Sequence, residues 1–152
     1  MDSALAVDPT AYYVHRDRAY VLLYAGDAAG ARASARLAER VAPLGGTDMS
    51  DLDALLVTVQ AATGDSAAAR AGAERLAHVV AGTAATTVYP ASYVASALLS
   101  VGERGRCLDV LEGLRPRGAI VWDRLRDPIW DPVRSDPRFV RLFAESRPPG
   151  AP

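Results

Sequence analysis

The chain has 152 residues, half of them hydrophobic and 23% charged, enough apolar material to bury the core of one domain and to exclude a wholly disordered chain. A net charge of -1 at pH 7 argues against a strongly basic nucleic-acid or membrane-surface protein. One cysteine and two histidines exclude an internal disulfide and leave too few soft ligands for a structural zinc site.

All 17 basic residues are arginine and about a fifth of the chain is alanine, a bias that discounts arginine counts as a functional signal. The opening MDSALAVDPT lacks the basic and apolar regions of a signal peptide, and no stretch reaches the roughly eighteen apolar residues of a membrane span. A soluble, cytoplasmic protein is the expectation.

In chain order, the first predicted element is a helix over AYYVHRDRAYVLLYA, with Val14, Ala19, Leu22 and Leu23 at roughly helical spacing. Gly26-Asp27 breaks the chain, and AAGARASARLAERVA follows as a second helix. Ala28, Ala31, Ala35, Ala38 and Ala42 form a narrow stripe that lets a neighbouring helix approach. Arg32, Arg36 and Arg40 stack at i, i+4 on another face, most simply a solvated one.

After PLGGTDMS, the run SDLD reads as a capping box of Ser50 and Asp53, with Asp51 and Asp53 suiting the helix dipole at the start of DLDALLVTVQAAT. Gly64-Asp65 separates this helix from the next. Gly102-Glu103 does the same in the third pair.

The three Gly-acid pairs are each 38 residues apart. Five residues after each glycine stand Ala31, Ala69 and Cys107; nine after stand Ala35, Ala73 and Leu111; seven before stand Ala19, Val57 and Ala95. Small or apolar residues at fixed offsets predict three helical hairpins that bury their stripes by stacking, with glycine supplying the left-handed hinge. The units span about 10–48, 49–86 and 87–118, followed by a cap over 119–145 and a disordered tail over 146–152.

DPIWDPVRSDPRF contains Asp-Pro at 127–128, 131–132 and 136–137. Asp favours the N-cap, Pro the first helical position, so each pair is expected to end one short element and start another. PRFVRLFAES is expected to form a last helix with Phe139, Leu142 and Phe143 on one face. With Trp122, Leu125, Ile129, Trp130 and Val133, it supplies the bulk needed to seal the end of the stack near Leu111 and Leu114.

The pattern resembles the tetratricopeptide repeat family, best in the first unit, where the family's small residues fall on Ala19, Ala31 and Ala38 and its closing proline on Pro43. The usual aromatic near the start of the first helix is replaced by His15, Asp53 and Ala91, and the later closing prolines by Ala81 and Ala119. SALAVDP resembles the tail of a preceding repeat with Ala4 and Pro9 in register; a start in which Asp8 caps and Pro9 opens the first helix stays open beside it. The last sixty or so residues resemble the closing segment of bacterial tetratricopeptide regulatory proteins.

That resemblance implies an all-α superhelix of stacked hairpins with a C-terminal cap, serving as a protein–protein interaction scaffold in a regulatory or signalling protein. Its concave face would be lined by the first helix of each unit, and the partner-binding residues expected there are Tyr13, Arg16, Tyr20, Tyr24, Thr58, Tyr89, Ser92 and Ser96. Tyrosine offers large rigid area with a polar tip, suited to an extended or helical peptide. A small-molecule-sensing regulatory domain is the alternative.

No nucleotide-binding glycine loop, metalloprotease H-E-x-x-H or nucleophile elbow occurs. The expectation is a non-enzyme with no cofactor and no metal, binding a protein or peptide and neither nucleic acid nor membrane. His15 and His78 read as surface or interface residues, and Cys107 as a buried thiol in a small slot.

Overall fold

The computed structural model describes residues 11–42, 50–82, 88–113, 122 and 124–150. Its helices are α1 (Tyr12–Tyr24), α2 (Ala28–Val41), α3 (Ser50–Ala62), α4 (Ser66–Gly82), α5 (Val88–Ser100), α6 (Arg104–Gly113) and α7 (Pro137–Ser146), with a 3-10 helix over Pro128–Val133. The described residues are all-α, without a strand. The partial repeat over 1–9, closing Pro43, the PLGGTDMS linker, Leu114 and Ala119 lie outside them, as do the Ser50 and Tyr89 side chains.

The three hinges share one backbone pattern at the glycine and the residue after it. Gly26, Gly64 and Gly102 have φ of 79°, 85° and 87°. The following amide reaches back five residues each time, Asp27 to Leu22 O (2.8 Å), Asp65 to Gln60 O (2.9 Å) and Glu103 to Leu98 O (2.9 Å). Each glycine amide donates to Leu23, Ala61 or Leu99 O. This is the Schellman closure, which satisfies the last carbonyls of a helix and needs a left-handed residue at its turn. Asp27 and Asp65 then cap the next helix through Gly30 N (2.8 Å) and Ala68 N (3.3 Å).

The offsets noted in the sequence are the packing positions. Ala31, Ala69 and Cys107 are each 0% exposed, and Ala35, Ala73, Leu111, Ala19, Val57 and Ala95 are all buried. Helix α3 is packed on both sides: Leu52, Leu55 and Val59 join the α1–α2 core, whereas Ala54 and Val57 join the core of the later units. First helices touch the next first helices, α1 with α3 and α3 with α5, and α2 and α4 also touch the hairpin that follows. The hairpins are therefore stacked in chain order. Among the described residues no helix is long and apolar enough to cross a membrane.

Polar pairs tie the units together. Arg16 of α1 forms an ion pair and hydrogen bond with Asp51 of α3, whose side chain is buried. Asp51 was expected to serve the dipole of its own helix; its carboxylate accepts from Leu52 N (2.7 Å) and also neutralises an arginine of the preceding unit. Arg106 of α6 meets Glu74 of α4 through two hydrogen bonds of 2.5 and 3.0 Å. Arg138 of α7 meets Glu112 (2.7 Å) and Asp109 (2.6 Å) of α6.

The C-terminal segment departs from the expected alternation of stops and starts. Asp131-Pro132 lies inside the 3-10 helix, because a six-residue 3-10 run accommodates proline's fixed φ and loses only one donor. Asp136 does cap α7, accepting from Arg138 N (2.8 Å), but Asp127 makes no side-chain cap. Phe139 and Leu142 of α7 are buried with Leu108 and Leu111, and Trp122 packs on Phe143 at 5.9 Å between centroids. The 3-10 helix, whose Trp130 and Val133 join the same core, also packs on α5. Helix α7 runs through Ser146, and a turn follows at Gly150.

Candidate functional site

The return of the 3-10 helix onto α5 brings residues 124–130 opposite α1. Between them lies a partly open groove of about 240 Å³, lined by Arg16, Asp17, Tyr20 and Tyr24 of α1, Ser92, Tyr93 and Ser96 of α5, and Arg124, Asp127, Ile129 and Trp130. Helical spacing explains the two long walls: residues 16, 20 and 24 on α1, and 92 and 96 on α5, each repeat every four positions.

The third wall is fixed from behind. Trp130 Nε1 donates to Arg124 O at 2.7 Å, satisfying a buried indole. Arg134 donates to the carbonyls of Leu125 (3.5 Å), Arg126 (3.4 Å) and Asp127 (3.0 Å), and pairs with Asp131 at 2.8 Å. These bonds hold the segment so that Asp127 faces Tyr24 across the groove.

The electrostatics follow from this closure. Burial, and then the negative charge of the nearby Asp127 carboxylate, push the Tyr24 phenol up to about 12. Burial, then Tyr24 and Tyr93, hold the Tyr20 phenol above its ordinary value, so both remain neutral donors. Burial disfavours the Arg16 charge, but its hydrogen bonds to the Asp17 and Asp51 carboxylates outweigh that and raise its pKa. Arg16 and Arg124 are balanced by Asp17 and Asp127, so the charged lining sums to zero.

Of the expected groove residues, Arg16, Tyr20, Tyr24, Ser92 and Ser96 come together here. Tyr20 and Tyr24 stack at 6.4 Å, and Ser96 Oγ donates to Tyr93 O at 2.8 Å. Tyr13 does not line the groove: it is 53% exposed, edge-on to Tyr12 at 6.1 Å. Thr58 does not line it either, its hydroxyl donating to Ala54 O (2.9 Å) beside Ser100 Oγ (3.1 Å). Tyr93 was legible as the residue four after Tyr89. Arg124, Asp127, Ile129 and Trp130 carried no such signal, because their place depends on the chain folding back over two units.

His15 is buried, His78 is exposed, and neither lines the groove. Burial pushes the Cys107 thiol up to about 12, which keeps it an unreactive core residue. No cluster of metal-ligating side chains occurs among the described residues. Comparison with known families, with curated proteins and with solved structures finds no match to this chain.

Proposed function

We propose that the chain is a cytoplasmic protein–protein interaction scaffold of the tetratricopeptide type, part of a bacterial regulatory or signalling protein, and that its groove holds a short stretch of a partner polypeptide. The observation that carries this reading is the gathering of Tyr20, Tyr24, Tyr93 and Trp130 around one partly open cleft. Rigid aromatic rings give contact area at small entropic cost, and their hydroxyls bond to a peptide backbone. The 38-residue recurrence of hinge and buried small residue supports the family assignment.

The size of the groove favours one large anchoring side chain over a cofactor, since small-molecule sites commonly start at about 300 Å³. Its balanced charge favours a neutral segment over a phosphate backbone. The hydroxyls of Ser92 and Ser96 have no histidine in the lining beside them, so binding accounts for the site better than nucleophilic catalysis.

Peptides selected from a random display library against the full chain test the proposal. Tyr24→Ala, at a half-exposed position, is expected to weaken them by roughly tenfold or more, as anchor residues do. Unchanged affinity in Tyr24→Ala and in Tyr20→Phe/Tyr93→Phe overturns it. A small-molecule sensor is the second reading, favoured by the convergence of Arg16, Arg124, Ser92 and Ser96; a metabolite that raises Tm in the wild type and not in Ser96→Val selects it.

A further inference from the structure

We propose that the outer face of α2 is a second binding surface, specific for an acidic segment of a partner polypeptide. Arg32, Arg36 and Arg40 are all exposed, and none makes an ion pair or hydrogen bond among the described residues. Like charges at i, i+4 repel along a helix, so this stripe weakens α2 and gains no compensating ion pair among the described residues.

The repeat register shows that the arrangement is a departure. Ten residues after each hinge glycine stand Arg36, Glu74 and Glu112. Glu74 accepts from Arg106 of the next unit, and Glu112 from Arg138 of α7. In α4, Arg70 and Glu74 alternate in sign four residues apart, a spacing that supports a helix. Only in α2 is the acid replaced by arginine, which removes the tie to the neighbour and turns a supportive spacing into a repulsive one.

An anion outside the chain relieves that repulsion, and the dimensions select its form. A helix rises 1.5 Å per residue, so the three arginines step by about 6 Å and span about 12 Å. Side chains on one face of an extended strand repeat every two residues, about 6.6 Å. Carboxylates at alternate positions of an extended segment therefore fall in step with the guanidinium groups, each of which donates to one in bidentate fashion. A duplex or a bilayer extends far past 12 Å, over a protein whose net charge of -1 offers it no general attraction.

The test uses the full chain and a fluorescent eight-residue peptide of alternating glutamate and serine, titrated by anisotropy at low salt. Saturable binding that weakens with added salt is expected. Arg36→Glu restores alternating charge along α2, so its Tm is expected to equal or exceed the wild type's while its peptide affinity falls by roughly tenfold or more. Arg32→Gln/Arg40→Gln should lose affinity in the same direction, and Tyr24→Ala should bind as the wild type does.

Absence of binding at low salt overturns the proposal, as does equal affinity in Arg36→Glu. Loss of binding in Tyr24→Ala would move the peptide to the groove and overturn it equally. A single-stranded oligonucleotide or a phosphatidylserine vesicle bound as tightly as the peptide would overturn the assignment to an acidic polypeptide.

Discussion

Arg16 and Asp51 pair across the interface of the first two hairpins, with the carboxylate buried and the guanidinium side chain 21% exposed. Removing the acid leaves a half-buried cation with Asp17 as its remaining carboxylate, at 2.8 Å. Asp51→Ala is therefore expected to cost about 1–3 kcal/mol by urea unfolding, below the full penalty for stranding a buried charge. Glu74→Ala breaks a pair whose side chains are about half exposed and is expected to cost clearly less than Asp51→Ala. Equal costs would show that burial does not distinguish the two interfaces.

The hinge glycines and the helical glycine Gly105 should respond to the same substitution with opposite sign. A Cβ at Gly26, Gly64, Gly102 or Gly105 meets no atom within 4 Å, so only backbone preference decides. Alanine at any of the three hinges is forced into the left-handed region, at about 1–2 kcal/mol each. Alanine at Gly105, inside α6, is expected to stabilise by about 0.4–1 kcal/mol. Thermal unfolding of the four variants checks both signs.

These glycines mark where sequence reading succeeded, and the reason is locality. Whether a helix ends, and whether the residue five positions later is small, is settled within one hairpin, so Ala31, Ala69 and Cys107 could be aligned by counting. Asp127 shows the opposite case. Its cap propensity is a local preference, while the return of the chain onto α5 sets it in the groove facing Tyr24. Asp51 does stand in the first turn of its own helix as the sequence suggested, but its second partner, Arg16, 35 positions upstream, was not visible there.

Tyr24 and Asp127 should be energetically coupled. Tyr24→Phe removes the hydroxyl and Asp127→Ala the carboxylate that face each other across the groove, so the double variant is expected to lose less than the sum of the singles by about 0.5–1.5 kcal/mol. Additive losses in a double-mutant cycle would show that the groove does not close at this point.

Alkaline pH should destabilise the fold through groups held protonated inside it. Burial raises Cys107, and burial with Asp127 raises Tyr24, each to about 12. Both folded values lie above the unfolded ones, so their contributions are complete below the unfolded pKa and lost as pH climbs toward 12. Stability should hold to about pH 8.5, near the unfolded thiol pKa, and then fall. Cys107→Ala should delay that fall to about pH 10, where the phenols begin to titrate. An unshifted onset in Cys107→Ala, followed by circular dichroism, would contradict the account.

The groove itself is tested most directly through the two tryptophans, which give two indole N–H signals in a nitrogen-15 correlation spectrum. Trp130 lines the groove and donates to Arg124 O, while Trp122 packs against Phe143 and Arg126 away from its lining. Titration with a library-selected peptide is predicted to shift the Trp130 indole signal and leave that of Trp122 in place. A peptide that binds while Trp130 stays unmoved, or that moves only Trp122, would contradict the claim that partners enter between α1, α5 and the returning segment.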